Sequence, residues 1–315
     1  MSTWLLFSST CVVFGWCLGF VLPAPTCLNT SRPMDEVYTC SELSSASDFF
    51  KHMERPQLHP RLTFVLRDSR VENLPSGVFQ DFNATVLEFS NVTIEVFGPT
   101  EPSFFAGLED TLEKIIFRDG SSLPQTWGTL KVLRKLKILR LSHMKDLDLS
   151  QDMNQLSSSL VAVEVLYSSI VHVDEDWLAQ TSGLESLVIR DCNLKVFLRS
   201  MLPRPAPKLW NLDLVMNNIT QLPKDFGQEF PTLKFLDLQS NQISAIEKEC
   251  LAPLLTSKAE AIELGDNPLH CDCQIGHLRL FSERVLSATC NTPETLRRRQ
   301  VHTLTDEELQ CDALV

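Results

Sequence analysis

Much of what this sequence implies comes from what it lacks. Its 315 residues carry 28 lysines and arginines against 40 aspartates and glutamates, a net charge of −12. A basic face for backbone phosphates is therefore missing, and nucleic acid is not expected as a partner. Arg297, Arg298 and Arg299 form the one basic triplet and read as a solvated terminal run. There is no GxSxG elbow, no phosphate-cradling glycine loop, no HExxH pair and no dinucleotide fingerprint. The seven histidines (His52, His59, His143, His172, His270, His277 and His302) are scattered. His143 alone falls at a strand's outer edge, where a surface role outweighs catalysis. Without convergent acid, base or metal-binding groups, the chain is not expected to be an enzyme or to hold a cofactor or metal.

Charge is also missing at the front. Residues 1–26 contain no charged side chain, and residues 4–22 are almost wholly apolar. They read as a secretory signal peptide with cleavage between Gly19 and Thr26. No basic n-region precedes the apolar run, which exceeds the usual length of roughly 7–15 residues. An uncleaved anchor is the alternative. No second apolar stretch is long enough to span a bilayer, and no glycolipid-anchor tail ends the chain. The mature protein is expected to be secreted, with no membrane span. Four sequons agree, at Asn29, Asn83, Asn91 and Asn218, each reading N-x-S/T and each an expected glycosylation site.

What is present is a phrase that returns about every 24 residues. Its clearest copies are LWNLDLVMNNI (209–219) and LKFLDLQSNQI (233–243), both LxxLxLxxNxL. The second leucine of each copy aligns Phe64, Leu87, Ile115, Leu139, Val163, Leu187, Leu212, Leu236 and Ile262, in steps of 23 to 28 residues. That period and phrase are the signature of leucine-rich repeats. The LxL residues point to one side of a short strand, and stacked turns share the core that no single turn could bury. The fold expected is an α/β solenoid, a leucine-rich-repeat horseshoe with a parallel concave sheet and disulfide-bonded caps. Strand is expected over only three or four residues per copy, with short helical or irregular turns outside.

Asn217, Asn241 and Asn267 sit where the chain leaves the strand and can bond its unpaired backbone groups. The first six copies have Ser69, Val92, Gly120, Met144, Ser168 and Cys192 there, so less regular turns are expected. A longer convex loop is expected around residues 120–124.

Ten cysteines fall to eight once Cys11 and Cys17 leave with the leader. Cys271 and Cys273 follow the last repeat directly, with Cys290 and Cys311 beyond. This spacing resembles the C-terminal flanking cap of extracellular leucine-rich-repeat proteins. The resemblance implies pairs Cys271–Cys290 and Cys273–Cys311. Zinc on Cys271, Cys273 and His270 or His277 is the alternative, but structural sites favour C-x2-4-C spacing and reducing compartments. Cys27 and Cys40 flank a short loop and pair as a reduced N-terminal cap, where relatives mostly use four cysteines. Cys192 and Cys250 lie two turns apart, roughly 10 Å from the strand spacing, and are expected to be buried free thiols.

The mature chain as a whole resembles secreted animal leucine-rich-repeat proteins. YTCSELSSA (38–46) and LPSGVFQDF (74–82) are also similar to an arthropod secreted group that includes the leucine-rich, non-catalytic subunit of a shrimp luciferase. The domains expected are a leader (1–26), an N-terminal cap (27–60), repeats (61–258), and the last repeat with its cysteine-rich cap (259–315).

Outward positions of the strands form the candidate binding face. The residue after each aligned leucine gives Val65, Glu88, Ile116, Arg140, Glu164, Val188, Asp213, Asp237 and Glu263. Two places on come Arg67, Ser90, Arg118, Ser142, Leu166, Arg190, Val215, Gln239 and Gly265. Arginines collect in the first six turns and carboxylates in the last three. Arg140, Glu164, Leu166, Tyr167, Val188, Arg190, Val215 and Met216 are expected to bind ligand, as apolar side chains framed by charge. A glycan on Asn91 would obstruct the second turn. The function expected is recognition of a protein or a cell- or microbial-surface ligand, with a non-catalytic subunit of a secreted enzyme as the alternative.

Overall fold

The computed structural model describes residues 24–31, 36–54, 61–74, 77–97 and 104–311. The leader expected over 1–26 falls almost wholly outside the described residues. Beyond it the chain winds as a solenoid with one long sheet as its inner wall. Strand β1 (Thr26–Ser31) runs antiparallel to β2 (Glu36–Ser41), and a short helix α1 (Ala46–His52) follows. Strands β3 (Leu62–Asn73), β4 (Ala84–Val96), β5 (Lys114–Arg118) and β6 (Ile138–Ser142) continue the sheet. A two-stranded outer sheet of β7 (Leu147–Leu149) and β9 (Ile170–Val173) brackets β8 (Ala162–Leu166) in sequence. The inner wall resumes with β10 (Ser186–Arg190), β11 (Asn211–Asp213), β12 (Phe235–Asp237), β13 (Ala261–Glu263) and β14 (Leu286–Ser287). The resulting order is β1-β2-β3-β4-β5-β6-β8-β10-β11-β12-β13-β14, parallel from β2 onward.

Each aligned apolar residue is buried, from Phe64 to Ile262, and the outer wall contributes a second row. Toward the N-terminus that row is aromatic. Phe64 meets Phe79 and Phe82 edge-on, and Phe89 stacks on Phe117 at 5.2 Å. Later turns are filled mainly by leucine, with Trp177, Phe197 and Phe226 fully buried. Short 3-10 helices at Trp127–Val132, Gln151–Gln155, Arg199–Met201 and Ala252–Thr256 form part of the outer wall.

Three expectations need correcting or refining. First, β3 and β4 are 12 and 13 residues long, not three or four. They pair again beyond the turn, Ser69 with Val92, Val71 with Ile94 and Asn73 with Val96. Backbone pairing there supplies partners that an asparagine side chain supplies later. Second, the turns lacking asparagine vary as expected but are not left open, because at three of them serine takes over the bonds. Ser168 Oγ accepts the Met144 N–H at 3.0 Å and donates to the Leu166 carbonyl at 2.8 Å. Ser69 does the same toward Leu43 and Arg67, and Ser121 toward Val92 and Arg118. The third serine is Ser121 and not position 120, because Asp119 and Gly120 both adopt positive φ and add one residue to the turn. Third, the 28-residue step separates Leu87 from Ile115 and so precedes β5 rather than residues 120–124, and part of that connection lies outside the described residues.

From Asn217 onward asparagines form a ladder. Asn217 Oδ1 accepts from the Cys192 and Leu194 N–H groups at 3.2 and 3.1 Å, and Nδ2 donates to the Ile189 carbonyl at 2.7 Å. Asn241 and Asn267 repeat the pattern one turn on each time. Disulfides close both ends: Cys27–Cys40 joins directly facing residues of β1 and β2, while Cys271–Cys290 and Cys273–Cys311 tie down the far end. Cys271 and Cys273 thus hold no free thiolate for zinc. Cys192 and Cys250 are free and buried, and burial pushes the Cys192 thiol up to about 11.

Candidate functional site

Parallel in-register strands turn each repeat position into a row across the inner wall. Val65, Glu88, Ile116, Arg140, Glu164, Val188, Asp213, Asp237 and Glu263 face one another strand by strand. In the first two-thirds of this row, charges neutralise each other. Arg118 reaches Glu88 at 3.4 Å, and Glu164 lies between Arg140 and Lys114. Burial lowers the Lys114 amine. Arg190 bonds Asp213, which raises the guanidinium further. Arg140, Glu164 and Arg190 therefore enter any binding event already paired to neighbours.

The last part of the row differs. Among the described residues, Asp237 and Glu263 have no ion pair. Burial raises the Asp237 carboxyl above its ordinary value and Asp213 and Glu263 add to this, against the Gln239 N–H and the more distant Arg190, which lower it.

A second row runs along the rim where each strand ends. Asp68, Asn91, Asp119, His143, Tyr167, Asp191, Met216, Ser240 and Asp266 all have φ between 46° and 57°. The left-handed conformation suits Asn and Asp, whose short polar side chains bond locally, and disfavours bulky residues. Tyr167 and Met216 are thus rim residues, not outward strand residues, with Asp191 between them in the row. Both are about half exposed, and Tyr167 stacks on His143 with ring centroids 5.3 Å apart. Leu166, Val188 and Val215 are only partly exposed.

Reading outward positions beyond each aligned leucine missed the position before it. Register puts Phe235 between Asn211 and Ala261, and the ring of Trp210 meets Phe235 edge-on at 5.9 Å. Trp210 is 39% exposed and Phe235 38%. They form an aromatic pair on the edge of the sheet opposite the rim. An exposed aromatic in a repeat that otherwise follows the consensus was the available signal.

The sequon asparagines Asn29, Asn91 and Asn218 are exposed, and Asn83 is half-buried just before β4. Asn91 stands in the rim row with its amide 2.8 Å from Asp68.

No protein-family model matches the chain. Bovine Toll-like receptor 6 is 27% identical over 269 residues, covering 75% of this chain and 32% of that receptor. Human 5T4, also called trophoblast glycoprotein, superposes with a TM-score of 0.52 at 21% identity, over 87% of this chain and 95% of that one. This chain folds as a leucine-rich-repeat solenoid. A structure of FLRT2 (LRR) in an octameric complex with latrophilin 3 and Unc5D gives a TM-score of 0.55 at 19% identity, over 79% and 83% of the two chains. The homologues are leucine-rich-repeat proteins, and the chain spans a third or less of the length of the first curated relatives it matches. Among the described residues no helix is long and apolar enough to cross a membrane.

Proposed function

We propose that this protein is a secreted, glycosylated, non-enzymatic recognition protein that binds a protein or microbial-surface ligand on its concave sheet and adjoining rim. The observation that carries this reading is Tyr167. A bulky side chain sits in a left-handed turn, half exposed, where five of the nine repeats place Asp or Asn. Such a residue costs the fold roughly 1–2 kcal/mol, and a local cost of this kind is a mark of use. Stacking on His143 holds the ring ready, so little conformational freedom is lost when a partner arrives. Arg190, beside it on β10, is held by its bond to Asp213 and presents its charge next to the ring.

Secretion is supported by the uncharged leader, the three disulfides and the sequons, since reducing compartments do not sustain such bridges. The FLRT2 complex supports protein binding, because that chain shares the fold and sits in an assembly with two other proteins. The second reading, a non-catalytic subunit such as the arthropod resemblance implies, calls for a large apolar interface. Here the exposed apolar side chains of the inner wall come as small groups separated by charge, which favours a ligand met in solution.

Replacing Tyr167→Ala together with Arg190→Glu is expected to weaken binding of the purified partner at least about tenfold. Unchanged affinity would show that the concave face is not the site.

A further inference from the structure

The edge opposite Tyr167 carries features that the proposed face does not use. Trp210 and Phe235 expose an edge-to-face aromatic pair where β11 and β12 begin. Phe235 and Asp237 point to the same side of β12, roughly 7 Å apart by strand geometry. The residue facing Phe235 on β13 is Ala261, too small to cover the ring, and Glu263 follows two places on. Glu88, Glu164 and Asp213 each have an arginine in ion-pair contact, whereas Asp237 and Glu263 have none among the described residues, Arg190 acting on Asp237 only at longer range.

We infer that Trp210, Phe235, Asp237 and Glu263 form a subsite for a basic segment of a protein partner, with arginine or lysine side chains lying over the aromatic pair and their cationic heads on the two carboxylates. This deepens the concave-face reading and rests on it. The chemistry is complementary in both parts. A guanidinium or ammonium group is attracted to an aromatic face, most strongly that of tryptophan, while its alkyl stem covers the apolar ring. Adjacent strands lie about 4.8 Å apart, so one side chain crossing Ala261 reaches both acids. Burial and the neighbouring acids already raise the Asp237 carboxyl, so an incoming cation relieves a repulsion present in the free protein. An acidic or purely apolar segment would leave that repulsion in place, which is why a basic one is assigned.

Trp127 and Trp177 are buried, so among the described residues Trp210 alone should respond strongly to an aqueous quencher. The test uses the intact protein and a capped hexa-arginine peptide, reading protection from acrylamide quenching, with hexa-glutamate as control. The signal is assigned to Trp210 by its loss in Trp210→Phe. Hexa-arginine is expected to protect Trp210, and Asp237→Asn with Glu263→Gln to weaken its binding about tenfold. Glu283→Gln with Glu307→Gln removes the same charge from the terminal cap and should leave binding unchanged. No protection, equal protection by hexa-glutamate, or equal loss in the two double variants would overturn the inference. The separate reading at Tyr167 is checked with the natural partner. Binding lost in Tyr167→Ala/Arg190→Glu but intact in Asp237→Asn/Glu263→Gln would sink the basic-segment subsite alone.

Discussion

Nine residues in the rim row take the same left-handed turn, and their identities separate scaffold from surface. Asp68, Asn91, Asp119, Asp191 and Asp266 are types that tolerate the conformation, whereas Tyr167 and Met216 are not. The recurrence of Asp and Asn one place before the turn position was legible in the sequence as a left-handed preference. Strict strand alternation hid it, because alternation assigns every residue a face and none a turn. Asp237 gives a prediction at the same scale. Its carboxyl is raised chiefly by burial, so the ionised form is disfavoured in the folded state. That cost is absent below the ordinary aspartate value of about 3.9, grows as pH rises above it and is complete above the elevated one. Asp237→Asn is therefore expected to raise the melting temperature at pH 7 and to lose that advantage in acid. Equal melting temperatures at pH 7 would contradict the assigned environment. None of this was visible in the sequence, where Asp237 is simply the acid of an LxLD phrase.

Among elements, the turns show how one backbone problem is solved in several ways. The C-terminal turns use an amide that both donates and accepts; the serine turns use a hydroxyl that does the same with one bond each way. β3 and β4 instead extend their pairing beyond the bend. Replacing Asn241→Ala leaves the Ile219 N–H and the Leu214, Leu238 and Gln239 carbonyls without that partner in the buried wall. The expected loss is about 2–3 kcal/mol, measured by denaturant titration, since each orphaned buried group costs on the order of 1–3 kcal/mol. Ser168→Ala is expected to cost about half as much, because it removes a single bond in each direction. A loss under about 0.5 kcal/mol for Asn241→Ala would mean that the ladder contributes little. The asparagine ladder was legible because one residue type recurs in phase. The serine rungs were not, since Ser69, Ser121 and Ser168 alternate with Val92 and Met144, and an extra left-handed residue moves one of them out of register.

For the whole molecule, the period alone sets the architecture: nine aligned apolar residues must stack, and the sheet and its register follow from that stacking. The leucine-rich phrase also set the limits of what could be read, because outward residues vary without penalty to the core. Charge rows were legible as composition but not as pairs. Arg140 and Glu164, read in the sequence as ligand contacts, are also partners of each other in the fold. The aromatic pair at Trp210 and Phe235 lies across a strand-to-strand contact that no single repeat contains. What remains is one inner wall with a strained aromatic rim on one edge, a basic-segment subsite on the other, and disulfide-closed ends. The most direct test of that account places a photo-crosslinking residue at position 167, and in a parallel sample at Lys131 on the outer wall, in protein produced by its native source. The account predicts a defined second polypeptide joined at position 167 and not at 131. Crosslinking from 131 alone, or equal yields from both positions, would contradict recognition through the concave face.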